Sequence, residues 1–116
     1  MTINHLNLTV TDAQGTSRLL ETYFGLTSIE GTTDDATFLA LRDDKGFTLT
    51  VMESKPPVTY PATFHLGFLI HNEERVQAIY EALKNDGYVL EPPRRYRGKS
   101  LDLYFATPFG FTIQVS

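Results

Sequence analysis

The sequence predicts an α+β domain made of two βαβββ repeats that form paired half-barrels, and three observations carry that reading. "HLNLTV" from His5 returns as "HLGFLI" from His65, sixty residues on, and "GFTLTV" from Gly46 returns as "GFTIQV" from Gly110, sixty-four residues on. In each half a period-two apolar alternation gives way once to a helical stripe and then resumes. Between the halves stands "KPPVTYP" (55–61), whose three prolines break regular structure because each fixes φ and lacks an N–H. Repetition at this period marks a duplicated supersecondary unit. The 116 residues are therefore expected to form one domain with module one at 1–54, a linker at 55–61 and module two at 62–116.

Each element follows from its local pattern. "INHLNLTV" (3–10) alternates Leu6, Leu8 and Val10 against His5, Asn7 and Thr9, the period of a half-buried strand. Asp12 is placed to cap a helix with an apolar stripe of Leu19, Leu20, Tyr23 and Phe24, and Gly25 supplies its stop. "TSIEG" (27–31), "ATFLALR" (36–42) and "GFTLTVME" (46–53) then predict three strands, the last two joined by the turn-forming "DDKG".

Module two opens with "TFHLGFLI" (63–70), in which Phe64, Leu66, Phe68 and Ile70 alternate with His65, Gly67 and Leu69. Asn72 caps the second helix, with Glu73 and Glu74 set against the positive end of its dipole. Val76, Ile79, Tyr80 and Leu83 form its buried stripe, and Gly87 ends it. A strand is expected near Tyr88–Glu91, then "SLDLYFA" (100–106) and "GFTIQV" (110–115). "PRRYRGK" (93–99), the one basic cluster, has the composition of a solvated loop; its functional alternative is a lid carrying Arg94, Arg95 and Arg97.

Composition narrows the function. A formal charge of −4 and a pI near 5.2 argue against nucleic acid as a partner, since such binders show a basic face. The absence of cysteine removes disulfides, thiolate metal sites and Cys nucleophiles. "MTINHLNLTV" has no signal-peptide character, and no apolar run approaches the roughly 18 residues a membrane span needs. A cytoplasmic protein that does not engage membranes is expected. No phosphate-cradling Gly-rich loop, G-x-S-x-G elbow or H-E-x-x-H is present, so no catalytic residue is identified.

In every alternating strand the apolar set must face the helix, which leaves the other set on the concave side of the sheet. His5 and His65 occupy equivalent places there, as do Thr50 and Gln114. Asn7, Phe38, Arg42, Thr50, Asp102 and Tyr104 share that face and are the candidate ligand-binding residues, together with Tyr96, which can stack on a flat molecule. Taken singly, each histidine is explained by hydrogen bonding in a polar cavity. Gln114 is explained equally by an amide bond to His65 or Thr50.

The duplicated βαβββ unit, with "NHLNLTV", "TFHLGF" and "FGFTIQV" in order, resembles the vicinal oxygen chelate superfamily along essentially the whole chain. That superfamily includes glyoxalase I, extradiol dioxygenases, fosfomycin-resistance thiol transferases and bleomycin-resistance proteins. The resemblance implies a divalent metal (Mn, Fe, Ni or Zn) at His5, His65 and Gln114, where metal-dependent members have two neutral donors and a last-strand Glu. Here Gln114 stands in place of that Glu and Thr50 in place of a further one. The charge that would compensate the cation is gone, so the metal is expected to be weakly held. Glyoxalase I chemistry is disfavoured, because neither Thr50 nor Gln114 can take up a proton. Two readings stay open: a small-organic-molecule binder using a loosely held metal, and a metal-free protein that sequesters a drug or metabolite. Family members commonly pair as homodimers, and the open faces and free strand edges agree with a homodimer here.

Overall fold

The computed structural model describes residues 1–29 and 36–116. In chain order it contains β1 (His5–Val10), α1 (Ala13–Phe24), β2 (Thr27–Ser28), β3 (Phe38–Arg42), β4 (Thr48–Glu53), β5 (Leu66–Phe68), α2 (Glu73–Asn85), β6 (Arg94–Arg95), β7 (Leu101–Ala106) and β8 (Thr112–Val115). The chain divides into two compact units, Met1–Val58 and Thr59–Ser116. Unit one holds a four-stranded sheet in the order β1-β4-β3-β2, and unit two repeats it as β5-β8-β7-β6. In each, the first strand pairs parallel with the last and the remaining pairs are antiparallel. This is the α+β fold of two βαβββ repeats that the sequence predicts.

Both helices start and stop for the expected reasons. Extended Asp12 (φ −147°) accepts the N–H of Gly15 on its carboxylate at 2.9 Å, which satisfies one of the donors a helix start leaves open. Gly25, at φ +73°, takes the left-handed conformation that ends α1. In unit two Asn72 accepts from the Arg75 N–H at 3.1 Å. The α2 exit is a Schellman closure: Gly87 N–H donates to Lys84 O and Tyr88 N–H to Leu83 O, each at 3.0 Å.

Alternation sorts the strand faces. In unit one Leu8, Val10, Leu41, Leu49 and Val51 are buried, and α1 lays Ala13, Thr16, Leu19 and Leu20 on the same core. The α1 stripe therefore begins a turn earlier than Leu19, while Tyr23 and Phe24 are only half-buried. Thr16 can be buried because its hydroxyl donates to Asp12 O at 2.7 Å. In unit two Val76, Tyr80 and Leu83 of α2 are buried with Leu103, Phe105, Ile113 and Val115. Each fully buried leucine or valine contributes about 1.5–3 kcal/mol.

Three strands differ from expectation. β2 covers Thr27–Ser28 of the expected 27–31; Glu30 and Gly31 of that segment lie outside the described residues. β5 is confined to Leu66–Phe68, since Phe64 turns back to donate its N–H to Pro61 O at 3.0 Å. Most consequential, no strand forms at Tyr88–Glu91: the outer strand of unit two is β6, where Arg94 pairs with Asp102 and Arg95 with Leu101. The Tyr88 N–H is already committed to the helix end, and its ring packs edge-on against Phe105 at 5.4 Å. Pro92 and Pro93 then withhold two ladder donors. Arg94 is the first residue free to pair, so the basic segment is a hairpin rather than a loop.

Candidate functional site

On the polar face of unit one, register places Asn7 and Ala40 on either side of Thr50. Thr50 donates its hydroxyl proton to Asn7 Oδ1 at 2.6 Å, and His5 Nε2 lies 3.2 Å from Thr50 Oγ1. A threonine hydroxyl has one proton to give. With that proton spent on Asn7, His5 must donate from Nε2, which fixes its tautomer and leaves the lone pair on Nδ1. Phe38 and Arg42 share this face, opposite Met52 and Thr48, with Arg42 exposed at the end of its strand.

The matching face of unit two is built differently. His65 Nδ1 lies 2.9 Å from Thr63 O. A carbonyl oxygen only accepts, so Nδ1 carries the proton and Nε2 keeps its lone pair. The imidazole meets Tyr104 edge-on (5.8 Å, 87°), and Tyr104 meets Tyr96 the same way (5.9 Å, 86°). Gln114 sits between Gly67 and Tyr104 in the sheet. A Cβ at Gly67 would stand 3.6 Å from Gln114 Oε1, so the amide lies over a position with no side chain. Gln114 is half-buried, and its side chain makes no hydrogen bond within unit two, so the expected amide bond to His65 is not formed.

Beyond Tyr104 the hairpin closes a cavity of about 190 Å³ lined by Glu91, Pro92, Arg94, Tyr96, Asp102 and Tyr104. Three sequence-predicted ligand residues, Tyr96, Asp102 and Tyr104, thus come together. Arg94 pairs loosely with Glu91 at 3.7 Å, and Ser100 donates its hydroxyl to Asp102 at 2.9 Å. The Tyr104 phenol is held above its usual range, first by burial and then by the negative charge of Asp102. Strand alternation sends Arg95 the other way. It forms an ion pair with Glu73 in the first turn of α2 and donates to Lys99 O at 3.1 Å. The Arg95 guanidinium hydrogen bond holds the Glu73 carboxyl below its usual value. Glu91 was not among the sequence candidates; its signal, an acid just before a double proline at a strand edge, is too common to single it out.

Among the described residues no group of three or more histidines and carboxylates lies together to hold a metal ion. His65 Nε2 is presented as a ligand would be, held by the carbonyl bond on its other nitrogen. His5 Nε2 carries a proton toward Thr50, and Gln114 offers a neutral oxygen. None of the three supplies negative charge to offset a hard divalent cation, and His5 Nε2, bonded as it is to Thr50, has no lone pair to offer.

A duplicated βαβββ fold with a polar open sheet face defines the class, and the family comparison agrees. The model of the Glyoxalase/Bleomycin resistance protein/Dioxygenase superfamily matches residues 2–115, and the chain belongs to that family. Comparison with curated proteins finds no match. Among solved structures, that of a possible glyoxalase from Bacillus cereus is 45% identical, covering 99% of this chain and 97% of that one, with a TM-score of 0.89. The fosfomycin resistance protein FosX from Listeria monocytogenes, in complex with Mn(II) and sulfate, is 22% identical over 98% of this chain and 87% of that one, with a TM-score of 0.78. A lactoylglutathione lyase from Agrobacterium tumefaciens is 14% identical over 98% and 91%, with a TM-score of 0.76. At such identities the last two establish the fold alone. Among the described residues no helix is long and apolar enough to cross a membrane.

Proposed function

We propose that this glyoxalase-like protein binds a small organic molecule on its polar sheet faces without a firmly held metal, as a drug- or metabolite-sequestering protein does. The observation that carries the reading is the donor set: a protonated His5 Nε2 bonded to Thr50, and an uncharged Gln114 where metal-dependent relatives have glutamate. Tyr96, Asp102 and Tyr104 would contact a ligand in unit two, and Asn7, Phe38, Arg42 and Thr50 a ligand in unit one. A homodimer working in the cytoplasm is part of the same proposal. The dimer is supported by the family's habit of pairing.

A second reading has one specific support. His65 Nε2 is oriented with a free lone pair, so a loosely held Mn, Fe, Ni or Zn ion at His5, His65 and Gln114 would find one good donor. It would polarise a bound ligand's oxygen, while the ligand-contacting residues did the same work of orienting it. The two are separated by a thermal-shift screen of small organic compounds run with excess EDTA and again with Mn(II). A ligand at a hundred times its Kd stabilises the fold by about 2.7 kcal/mol. The expected result is stabilisation by some compounds that EDTA leaves intact. Stabilisation only with Mn(II) would give the site to the metal reading, and none with any compound would end the ligand reading.

A further inference from the structure

The cavity of unit two carries a charge that small-molecule binding alone does not explain. Its wall holds two carboxylates, Glu91 and Asp102, against one guanidinium, Arg94. Arg94 already has Glu91 beside it at 3.7 Å, and Arg95 is turned away to Glu73. Asp102 hydrogen-bonds only to the neutral Ser100 hydroxyl at 2.9 Å, although Arg94 is its cross-strand neighbour. The uncompensated charge facing the cavity is therefore negative. The upward displacement of the Tyr104 phenol, to which the Asp102 charge contributes after burial, has the same sign. Tyr96 and Tyr104, edge to face at 5.9 Å, add an aromatic wall. A T-shaped pair offers a ring face, and ring faces attract cations. At about 190 Å³ the space falls below that of drug-sized sites, roughly 300–1,000 Å³. It suits a single ring with a small head group.

We propose that this cavity selects flat organic cations, with the ring against Tyr96 and Tyr104 and the positive group on the Asp102 carboxylate. The inference rests on the small-molecule reading above and adds the charge class of the ligand. An anion would have to displace Glu91 from Arg94 and would lie beside Asp102. A neutral ring would gain the aromatic wall but leave Asp102 unanswered.

Benzamidinium, benzamide and benzoate share one shape and differ in charge, and titration of the intact protein with each in EDTA tests the proposal. Benzamidinium should bind about five- to tenfold more tightly than benzamide, as expected for a cation–π contact joined to a charge-assisted hydrogen bond at a partly exposed site. Benzoate should be weakest. Rising salt should narrow the gap between cation and amide in the parent protein, which needs no variant. Asp102→Asn should bring benzamidinium to the benzamide level, and Tyr96→Ala should weaken both. Equal binding of cation and amide, or a preference for benzoate, would overturn the proposal. If none of the three binds while compounds from the screen still stabilise the protein, the cation assignment falls and the binding reading stands. If nothing binds in either experiment, both fall.

Discussion

Units one and two present the same sheet in the same strand order, yet their polar faces have little in common. In unit one the face is closed on itself: His5, Thr50 and Asn7 consume one another's hydrogen bonds. In unit two the equivalent of Asn7 is Gly67, opposite Gln114. The amide there makes no hydrogen bond within the unit, while aromatic rings and a charged hairpin build a cavity beyond Tyr104. The difference teaches where duplication leaves freedom. A residue packed against a helix is constrained by volume on every side. One on the open face must only keep its polar atoms satisfied, which water can do.

The largest effect should therefore come from the faces the units share. Leu49 and Ile113 are equivalent in the repeat and sit on central strands at 1% and 0% exposure. Leu49→Ala and Ile113→Ala should each cost about 2–5 kcal/mol of unfolding free energy, read from urea denaturation. A loss below 1 kcal/mol in either would break the equivalence of the two packed faces.

Next in size is the metal response of Gln114→Glu. A charged oxygen would replace a neutral one in the same unit as His65, whose Nε2 lone pair is available. Saturating Mn(II), Ni(II) or Zn(II) should then stabilise the variant by about 2.7 kcal/mol at a hundred times its Kd, with a clearly smaller response in the parent. Without metal the variant should melt below the parent near neutral pH, because the new carboxylate is desolvated with no cation beside it. Thermal shifts of the two proteins measured side by side check this. A shift in neither would mean that no metal site can be completed at residue 114.

The sequence made the scaffold legible because the apolar alternation and helix caps are local signals. Asp12, Gly25, Asn72 and Gly87 each do what their chemistry dictates within three to five residues of their position. Residues 88–91 misled because "YVLE" has strand composition, and the competing bond from Tyr88 to the helix end becomes visible only once α2 exists. The split of the arginines was hidden for a related reason. Arg95 meets Glu73 across 22 residues of sequence, and only the β6 register decides which arginine faces the cavity. Tyr96, Asp102 and Tyr104 could be picked out from alternation and aromatic character. The tautomers of His5 and His65 could not, since each depends on a single hydrogen bond to Thr50 or to the Thr63 carbonyl.

Acid should loosen one hairpin in each unit, by a smaller amount. Asp43 accepts the N–H groups of Phe47 at 2.8 Å and Lys45 at 2.9 Å in the β3–β4 turn, which holds its carboxyl below the usual value. Glu73 is likewise held low by Arg95. Because both folded values are depressed, each carboxylate stabilises the fold fully above the ordinary range, near about 4. That contribution is lost as pH falls through the depressed folded values. Melting temperature should accordingly decline below about pH 4. Glu73→Gln should flatten part of the decline, and Asp43→Asn a separate part. An unchanged profile in both variants would remove these contacts from the stability of the hairpins.

The smallest effect on stability gives the sharpest contrast between the units. His5 should hold its neutral-state proton on Nε2, because Thr50 has already given its own proton to Asn7. His65 should hold it on Nδ1, because the Thr63 carbonyl can only accept. Two histidines at equivalent positions of one duplicated fold should thus be opposite tautomers. Long-range ¹H–¹⁵N correlation spectra of the neutral imidazole rings would display this directly. Thr50→Val removes the acceptor that holds the His5 proton. It should cost no more than about 1 kcal/mol at so exposed a bond, while shifting His5 toward a mixture of tautomers and leaving the His65 pattern unchanged. Were both rings to show the Nδ1–H form in the parent, His5 Nε2 would be a free donor like that of His65. The two polar faces would then be far more alike than their hydrogen bonds describe.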